Sequence, residues 1–213
     1  MGLFANVKRL VVGSNRESEP SPLRAGPNGS FVFIHINKCA GTSVGKALGL
    51  PKKQHLTALE VIAEIGEPAW REAFKFTIVR NPWDKVVSHY KHRIKTNQTR
   101  MGEQPITFKD WVAATYSGRR EPAYYDQPKM FQQQVEWLKN RKDKVEIDYV
   151  GRFEDMSGSF AEIARRIGVD ATLPHLNRTE SSDFRSYYDD ATIGMIARWF
   201  ADDIAQFEYR FDG

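Results

Sequence analysis

The sequence predicts an α/β protein with a central, mainly parallel sheet flanked by helices. Three observations carry this reading. Short aromatic and β-branched runs alternate with segments of helical periodicity, the order that builds parallel sheets. The first run, FVFIHI over 31–36, is apolar on both faces, as a buried parallel strand requires. Two of the runs pass directly into segments with helix-start signals, and ligands of such folds gather where strand ends meet helix beginnings.

Residues 1–30 read as a mobile N-terminal leader, because 14–30, SNRESEPSPLRAGPNGS, is rich in Ser, Pro, Gly and charge. A single domain over 31–213 follows. After the first strand comes a polar turn, NKCAG, and then TSVGKALGL, a helix from about Thr42 to Gly49. The second strand is FKFTIV over 74–79. It leads into a helix with Asn81 as N-cap, Pro82 at the first helical position and Asp84 three residues after the cap. Residues 106–140 read as two helical pieces parted by PAYYDQP, and VEIDYV over 145–150 is the third strand. SFAEIARRIG opens on a capping box of Ser159 and Glu162 and sets Phe160, Ile163, Ala164 and Ile167 on one face. A last helix over 189–207 repeats that pattern with Ile193, Ile196, Ala197, Phe200, Ile204 and Phe207.

Composition narrows the function. The chain has 213 residues and is 41% hydrophobic, the range of a globular protein and not of a disordered one. Its single cysteine cannot form an internal disulfide, which fits a reducing, cytoplasmic setting. No apolar run approaches the roughly 18 residues of a membrane helix, and the N-terminus lacks a convincing signal sequence. A net charge of +4 favours anionic partners in general.

The first strand-to-helix junction is His35-Ile36-Asn37-Lys38-Cys39-Ala40-Gly41-Thr42-Ser43. A tight Ala-Gly turn into a helix directs unpaired backbone amides one way and makes an anion site. Thr42 and Ser43 add hydroxyls and Lys38 a cation. A P-loop kinase is the first rival, since Ala40 to Ala47 nearly matches its phosphate loop. Ala47 stands where that loop needs a magnesium-binding hydroxyl, and a helix from Thr42 would place Lys46 in its interior. The second junction is Arg80-Asn81-Pro82-Trp83-Asp84-Lys85-Val86-Val87-Ser88-His89-Tyr90. Arg80 offers a planar fork for phosphate. Ser88, seven residues past Asn81, returns to nearly the same helix face about 10 Å along. Two anion junctions on adjacent strands point to a ligand with phosphates at separate positions.

Together these motifs resemble the sulfotransferases that use 3′-phosphoadenosine 5′-phosphosulfate (PAPS), particularly the carbohydrate-type family with short bacterial members. That family's IPKTGGTS-like turn is here INKCAGTS, and its RNPxxRxxSxY-like segment is RNPWDKVVSHY. The resemblance runs on through VGRFEDM, LPHLNRTE and WFADDIAQFEYRF, covering about 31–211. The first motif departs at Asn37, Cys39 and Ala40 but keeps Lys38, Gly41, Thr42 and Ser43. The resemblance implies a P-loop-like three-layer fold and transfer of a sulfuryl group from PAPS to an acceptor hydroxyl. The product nucleotide is 3′-phosphoadenosine 5′-phosphate (PAP), and no metal is needed. It also implies that Lys38, Cys39, Ala40, Gly41, Thr42 and Ser43 hold the 5′-phosphosulfate. Arg80 and Ser88 would hold the 3′-phosphate, and Arg178 in LNRTE would lie near that phosphate or the adenine.

Lys38 is then the group that stabilises the leaving oxygen. A histidine in the interval of LPKKQHLTALEV serves as base in related glycan sulfotransferases, which makes His55 the candidate general base; Glu154, after the third strand, is the alternative. The acceptor would be a glycan, glycolipid or small metabolite, with sugar favoured by the family. A non-catalytic nucleotide- or nucleic-acid-binding module is the second rival, although nucleic acid does not need two separate anion junctions. The remaining polar and aromatic residues have plainer expected uses. His35 reads as core or as support for the site, and Cys39 as a small space-filler. Lys85, His89, His92, Asp202 and Asp203 read as solvated helix residues. His175 has no cluster around it, and Trp83, Trp111, Tyr124 and Tyr125 read chiefly as packing.

Overall fold

The structure is a computed structural model that describes residues 21–51, 55–173 and 183–212. Four strands form one sheet in the order β1 (Leu23–Gly26), β2 (Gly29–Ile34), β3 (Phe74–Val79) and β4 (Tyr149–Arg152). β1 and β2 are an antiparallel hairpin, while β2, β3 and β4 are parallel. The helices are α1 (Gly41–Ala47), α2 (Ala58–Ile65), α3 (Glu67–Glu72), α4 (Pro82–Lys95), α5 (Phe108–Tyr116), α6 (Pro128–Phe131), α7 (Met156–Ile167), α8 (Asp190–Trp199) and α9 (Ala201–Phe207). This is the predicted α/β, P-loop-like arrangement, with the mainly parallel sheet at its centre and helices around it.

Four local expectations are corrected. The segment assigned to a leader contains β1, so ordered pairing begins before Phe31. Gly26 and Gly29 close a two-residue turn, and Asn28 docks it on α7 through its amide N–H to the Ile167 carbonyl, 3.1 Å. The third strand begins at Tyr149 and not at 145, because Asp148 turns its carboxylate onto the Lys75 backbone N–H at 2.7 Å. Helix α7 starts a turn earlier than Ser159 and is capped by Asp155, which accepts from the Gly158 amide at 3.1 Å. Ser159 is buried and bonds the backbone of Arg152 in β4 as both donor and acceptor, while Glu162 pairs with Arg165 and Arg166. The last helix is broken at Phe200 into α8 and α9.

Apolar burial falls into two clusters. One covers the sheet, with Val32, Ile34, Phe76, Ile78, Trp70, Trp137 and Ile163. The other lies among α4, α5 and α8, with Trp83, Trp111, Phe131, Ile196 and Phe200. Trp83 and Trp111 are therefore core, and Tyr124 and Tyr125 pack against the second cluster. Helix α4 starts at the carboxyl end of β3 and runs into the second cluster, so the second junction sits where the two cores meet. Asn81 caps α4 as predicted, accepting from the amides of Trp83 and Asp84 at 3.1 and 3.5 Å.

Candidate active site

The turn after β2 is held in an unusual backbone shape. Lys38 and Ala40 both adopt left-handed conformations, with φ of 65° and 58°. Residues with a Cβ take that conformation only at a cost, and such strain gathers at working sites. Ala40 is the N-cap of α1 and has no side-chain oxygen to offer the helix, so its opening amides lack the usual cap. The Ser43 N–H already donates to the Ala40 carbonyl at 2.8 Å, which leaves a smaller set of amides for an anion than the sequence predicts. Thr42 is exposed, Ser43 is buried and Lys38 is half-buried.

Gly41 is required for close approach. A Cβ there would lie 1.9 Å from His35 Cδ2 and 2.0 Å from its Nε2. The His35 ring thus packs directly beneath the turn, stacked on Phe33 with centroids 5.5 Å apart. His55 joins it from the segment before α2: their ring centroids are 4.3 Å apart. His55 Nδ1 donates to the His35 carbonyl oxygen at 3.0 Å. A carbonyl only accepts, so that bond fixes the proton on Nδ1 and makes Nε2 the accepting nitrogen. Immediately after His55, a capping box of Thr57 and Glu60 starts α2 and sets the position of this segment. The structure therefore brings the predicted base candidate within reach of the predicted phosphate turn.

The second junction is joined to the first. Arg80 donates from Nη1 to the Lys38 carbonyl at 3.1 Å, and lies over the Phe153 ring with its carbon 3.8 Å from the centroid. Its Nε and Nη2 form a fork on Asp84 at 2.8 and 2.9 Å. Three of the five guanidinium N–H groups are thereby engaged within the protein. Ser88 follows on α4, half-buried. Glu154 does not stand as a spare carboxylate. Its Oε1 accepts from the Asn81 amide at 2.6 Å and its Oε2 from the Tyr209 hydroxyl at 3.1 Å, which ties β4 to the start of α4.

Beneath both junctions lies a polar core that the sequence did not disclose. Gln134 is fully buried. Its amide N–H donates to the Arg80 carbonyl, and its carbonyl oxygen accepts from the Arg80 backbone N–H, each at 2.8 Å. The same oxygen accepts from the Cys39 thiol at 3.3 Å. Asp203 is also fully buried, contrary to its expected place on a solvated face, and its carboxylate accepts the backbone N–H groups of Gln134 and Val135 at 2.8 Å. Lys85 is likewise buried and not solvent-facing, with its ammonium 5.5 Å from the Phe200 ring centroid. Burial lowers the Lys85 pKa and raises that of Asp203, while their opposite charges attract. Burial also pushes the Cys39 thiol up to about 12, so it serves as a space-filler and not as a thiolate.

His89 is a further correction. It is buried against Trp111 and Phe131, and burial, reinforced by Lys85 and Arg93, holds its pKa well below the usual histidine range. Lys46 sits in the last turn of α1, away from a phosphate-loop lysine's place, with its side chain exposed. Arg178 and His175 lie outside the described residues. Among the described residues, no group of three or more His, Cys, Asp or Glu side chains is placed to hold a metal, and no helix is long and apolar enough to cross a membrane.

The mainly parallel sheet with helices packed around it is an α/β fold of the P-loop-like class. The particular family follows from comparison with known proteins: the Sulfotransferase family model matches residues 23–210, and the chain belongs to that family. The crystal structure of a sulfotransferase from Alicyclobacillus acidocaldarius shares the fold with a TM-score of 0.50. Sequence identity is 16%, and the match covers 83% of this chain and 93% of that one. No curated protein matches the chain.

Proposed function

We propose that the protein transfers a sulfuryl group from PAPS to the hydroxyl of a carbohydrate or glycoconjugate acceptor, in the cytoplasm. The observation that carries this reading is the bond from Arg80 to the Lys38 carbonyl, which unites the two anion junctions into one site beside His55. The residues present fit the donor. The opening amides of α1 lack a side-chain cap, and Arg80 has two N–H donors beyond its bonds to Lys38 and Asp84 among the described residues. Residues 38–43 would hold the 5′-phosphosulfate, and Arg80 with Ser88 the 3′-phosphate. PAPS supplies an activated sulfur whose bond to the 5′-phosphate oxygen breaks as the bond to the acceptor oxygen forms.

Two residues of the chain then manage charge and proton. Lys38 faces the negative charge that grows on the leaving phosphate oxygen, which is worth most where water is excluded. His55 Nε2 takes the acceptor's proton, while the bond from Nδ1 to the His35 carbonyl keeps the tautomer that allows it. Glu154 is less suited to this step, since both of its oxygens are bonded within the fold.

Calorimetric titration with PAP, with ATP as control and magnesium omitted, tests the reading. Binding of PAP with little binding of ATP supports it; magnesium-dependent binding of ATP alone refutes it. Lys38→Ala should lower turnover far more than PAP affinity, and equal losses would remove the role given to Lys38.

A further inference from the structure

The short helix α6 is tied to both halves of the site. Its Met130 carbonyl accepts from Asn37 Nδ2 at 2.9 Å, which holds the residue just before Lys38 in the phosphate turn. Asn37 stands where the related turn carries proline, a residue with no side-chain N–H, so this link belongs to the chain's own sequence. The neighbouring side chain, Lys129, donates from its ammonium to Glu60 Oε2 on α2. The same Glu60 oxygen accepts from the Thr57 backbone N–H at 2.7 Å, two residues after His55. Two consecutive residues of α6 thus hold the phosphate turn and the segment of the candidate base.

A spacer of this kind must itself be fixed, and α6 is. Phe131 is fully buried, its ring centroid 4.9 Å from those of both His89 and Tyr125, and its carbonyl accepts from Trp199 Nε1 at 2.8 Å. Lys129 also meets the base segment by a second route. Its ammonium lies 5.4 Å from the centroid of the buried Trp137 ring, and that ring packs edge-on to His55 with centroids 6.1 Å apart. Burial alone would raise the Glu60 carboxyl, but the bonds from Lys129 and Thr57 outweigh it and hold its pKa below the ordinary value. The link therefore joins full charges at neutral pH. The two side chains are 32% and 47% exposed, so the pair adds little to stability. What it fixes is the place of the His55 segment relative to the turn.

We propose that Lys129 is a positioning residue for the base. Through Glu60 it holds the His55 segment so that Nδ1 stays bonded to the His35 carbonyl and Nε2 stays free of the proton it must accept. The inference rests on the sulfuryl-transfer reading for the word base, whereas the His55 tautomer it governs is a property of the chain without ligands.

The main test needs neither nucleotide nor acceptor. The whole chain is isotopically labelled at its histidine ring nitrogens, and the His55 signals are those missing from His55→Gln. Proton–nitrogen correlation spectra at about pH 8, above the ordinary histidine titration, show which ring nitrogen carries the proton. The native protein should hold the His55 proton on Nδ1 alone. Lys129→Met should lose that single form and give signals averaged over both tautomers, while its melting temperature moves by no more than about 4 °C. Lys129→Arg should restore the Nδ1–H form. Glu60→Gln, which keeps an acceptor for the Thr57 amide, should reproduce the loss. The double variant Lys129→Met/Glu60→Gln should do no more than either single one, since both remove one link. A single form that survives Lys129→Met, a mixture already present in the native protein, or no restoration by arginine would each overturn the proposal. PAP affinity in Lys129→Met should stay within about twofold of the native value, because α6 holds Asn37 through its backbone. A larger loss would make Lys129 a general support of the site and reject the specific role. Absence of PAP binding in the native protein would sink the transferase reading, and the tautomer spectra would still decide the role of Lys129.

Discussion

Replacing Gly41 with alanine adds one methyl group at the most crowded point of the phosphate turn. That carbon would lie 1.9 Å from His35 Cδ2, 2.0 Å from Nε2 and 2.6 Å from Cγ. Carbon atoms rest at about 3.5–4.0 Å, so ring or turn must separate by roughly 1.5–2 Å. The ring has little freedom, because Phe33 stacks on it and His55 packs 4.3 Å away. Overpacking of this kind costs about 1–3 kcal/mol, and each kcal/mol lowers the melting temperature by about 2–4 °C in a chain of this length. Turnover should fall further, by about a hundredfold, since a displacement of about 1 Å in a reacting group is that expensive. Thermal unfolding and PAPS-dependent turnover measure the two effects. The double variant Gly41→Ala/His35→Ala makes room while keeping the backbone carbonyl that holds His55. It should be more stable than the sum of the single variants predicts, by about 1 kcal/mol or more. A Gly41→Ala protein with unchanged melting temperature, or strictly additive effects in the pair, would refute the packing of His35 beneath the turn.

Gln134→Met keeps the volume of the buried side chain but leaves the backbone N–H and carbonyl of Arg80 without partners. Each buried orphan costs about 1–3 kcal/mol, so urea unfolding should show a loss of at least about 2 kcal/mol with an unchanged slope. An effect below about 0.5 kcal/mol would remove Gln134 from its linking role. His89 gives the fold an acid limit. Its folded pKa lies well below the unfolded value of 6.5, so the unfolded chain takes up a proton that the buried ring refuses. Stability is therefore intact above about pH 6.5 and falls as pH drops below it, by at most about 1.4 kcal/mol per pH unit from this group. His89→Leu should flatten that limb in a series of unfolding curves, and an unaltered pH profile would refute the assignment.

Local grammar disclosed much of this fold. β2, β3 and the capped start of α4 were legible because apolar runs, Asn81 and Pro82 each act within a few residues of themselves. β1 was not, since four residues between prolines and glycines look like a linker until Asn28 is seen docked on α7. The same division holds at the site. Lys38, His55 and Arg80 stand in recognisable positions, and the structure places them around one turn. Lys85, His89 and Asp203 read as surface residues, and no local signal singles out Gln134, because polarity is local while burial is tertiary. The fork from Arg80 to Asp84 was within reach of the sequence, as the two are four residues apart. Its consequence for how many donors face a ligand required coordinates.

Asp203, Phe207, Tyr209 and Arg210 all belong to one late stretch of chain, and each supports an earlier part of the site. Asp203 holds Gln134, the Phe207 carbonyl receives Arg152, Tyr209 binds Glu154 and the Arg210 carbonyl receives Asn81. Asp203 lies 165 positions after Lys38. At the usual pace of translation, about 5–20 residues per second, roughly 8–33 s separate the making of the turn from the making of its keystone. For that interval a nascent chain carries the residues of the site but not the frame that spaces them. The frame of the site is thus complete only when this late stretch has been made, and a ribosome-bound chain halted before residue 203 should be folded in parts and inactive as a whole.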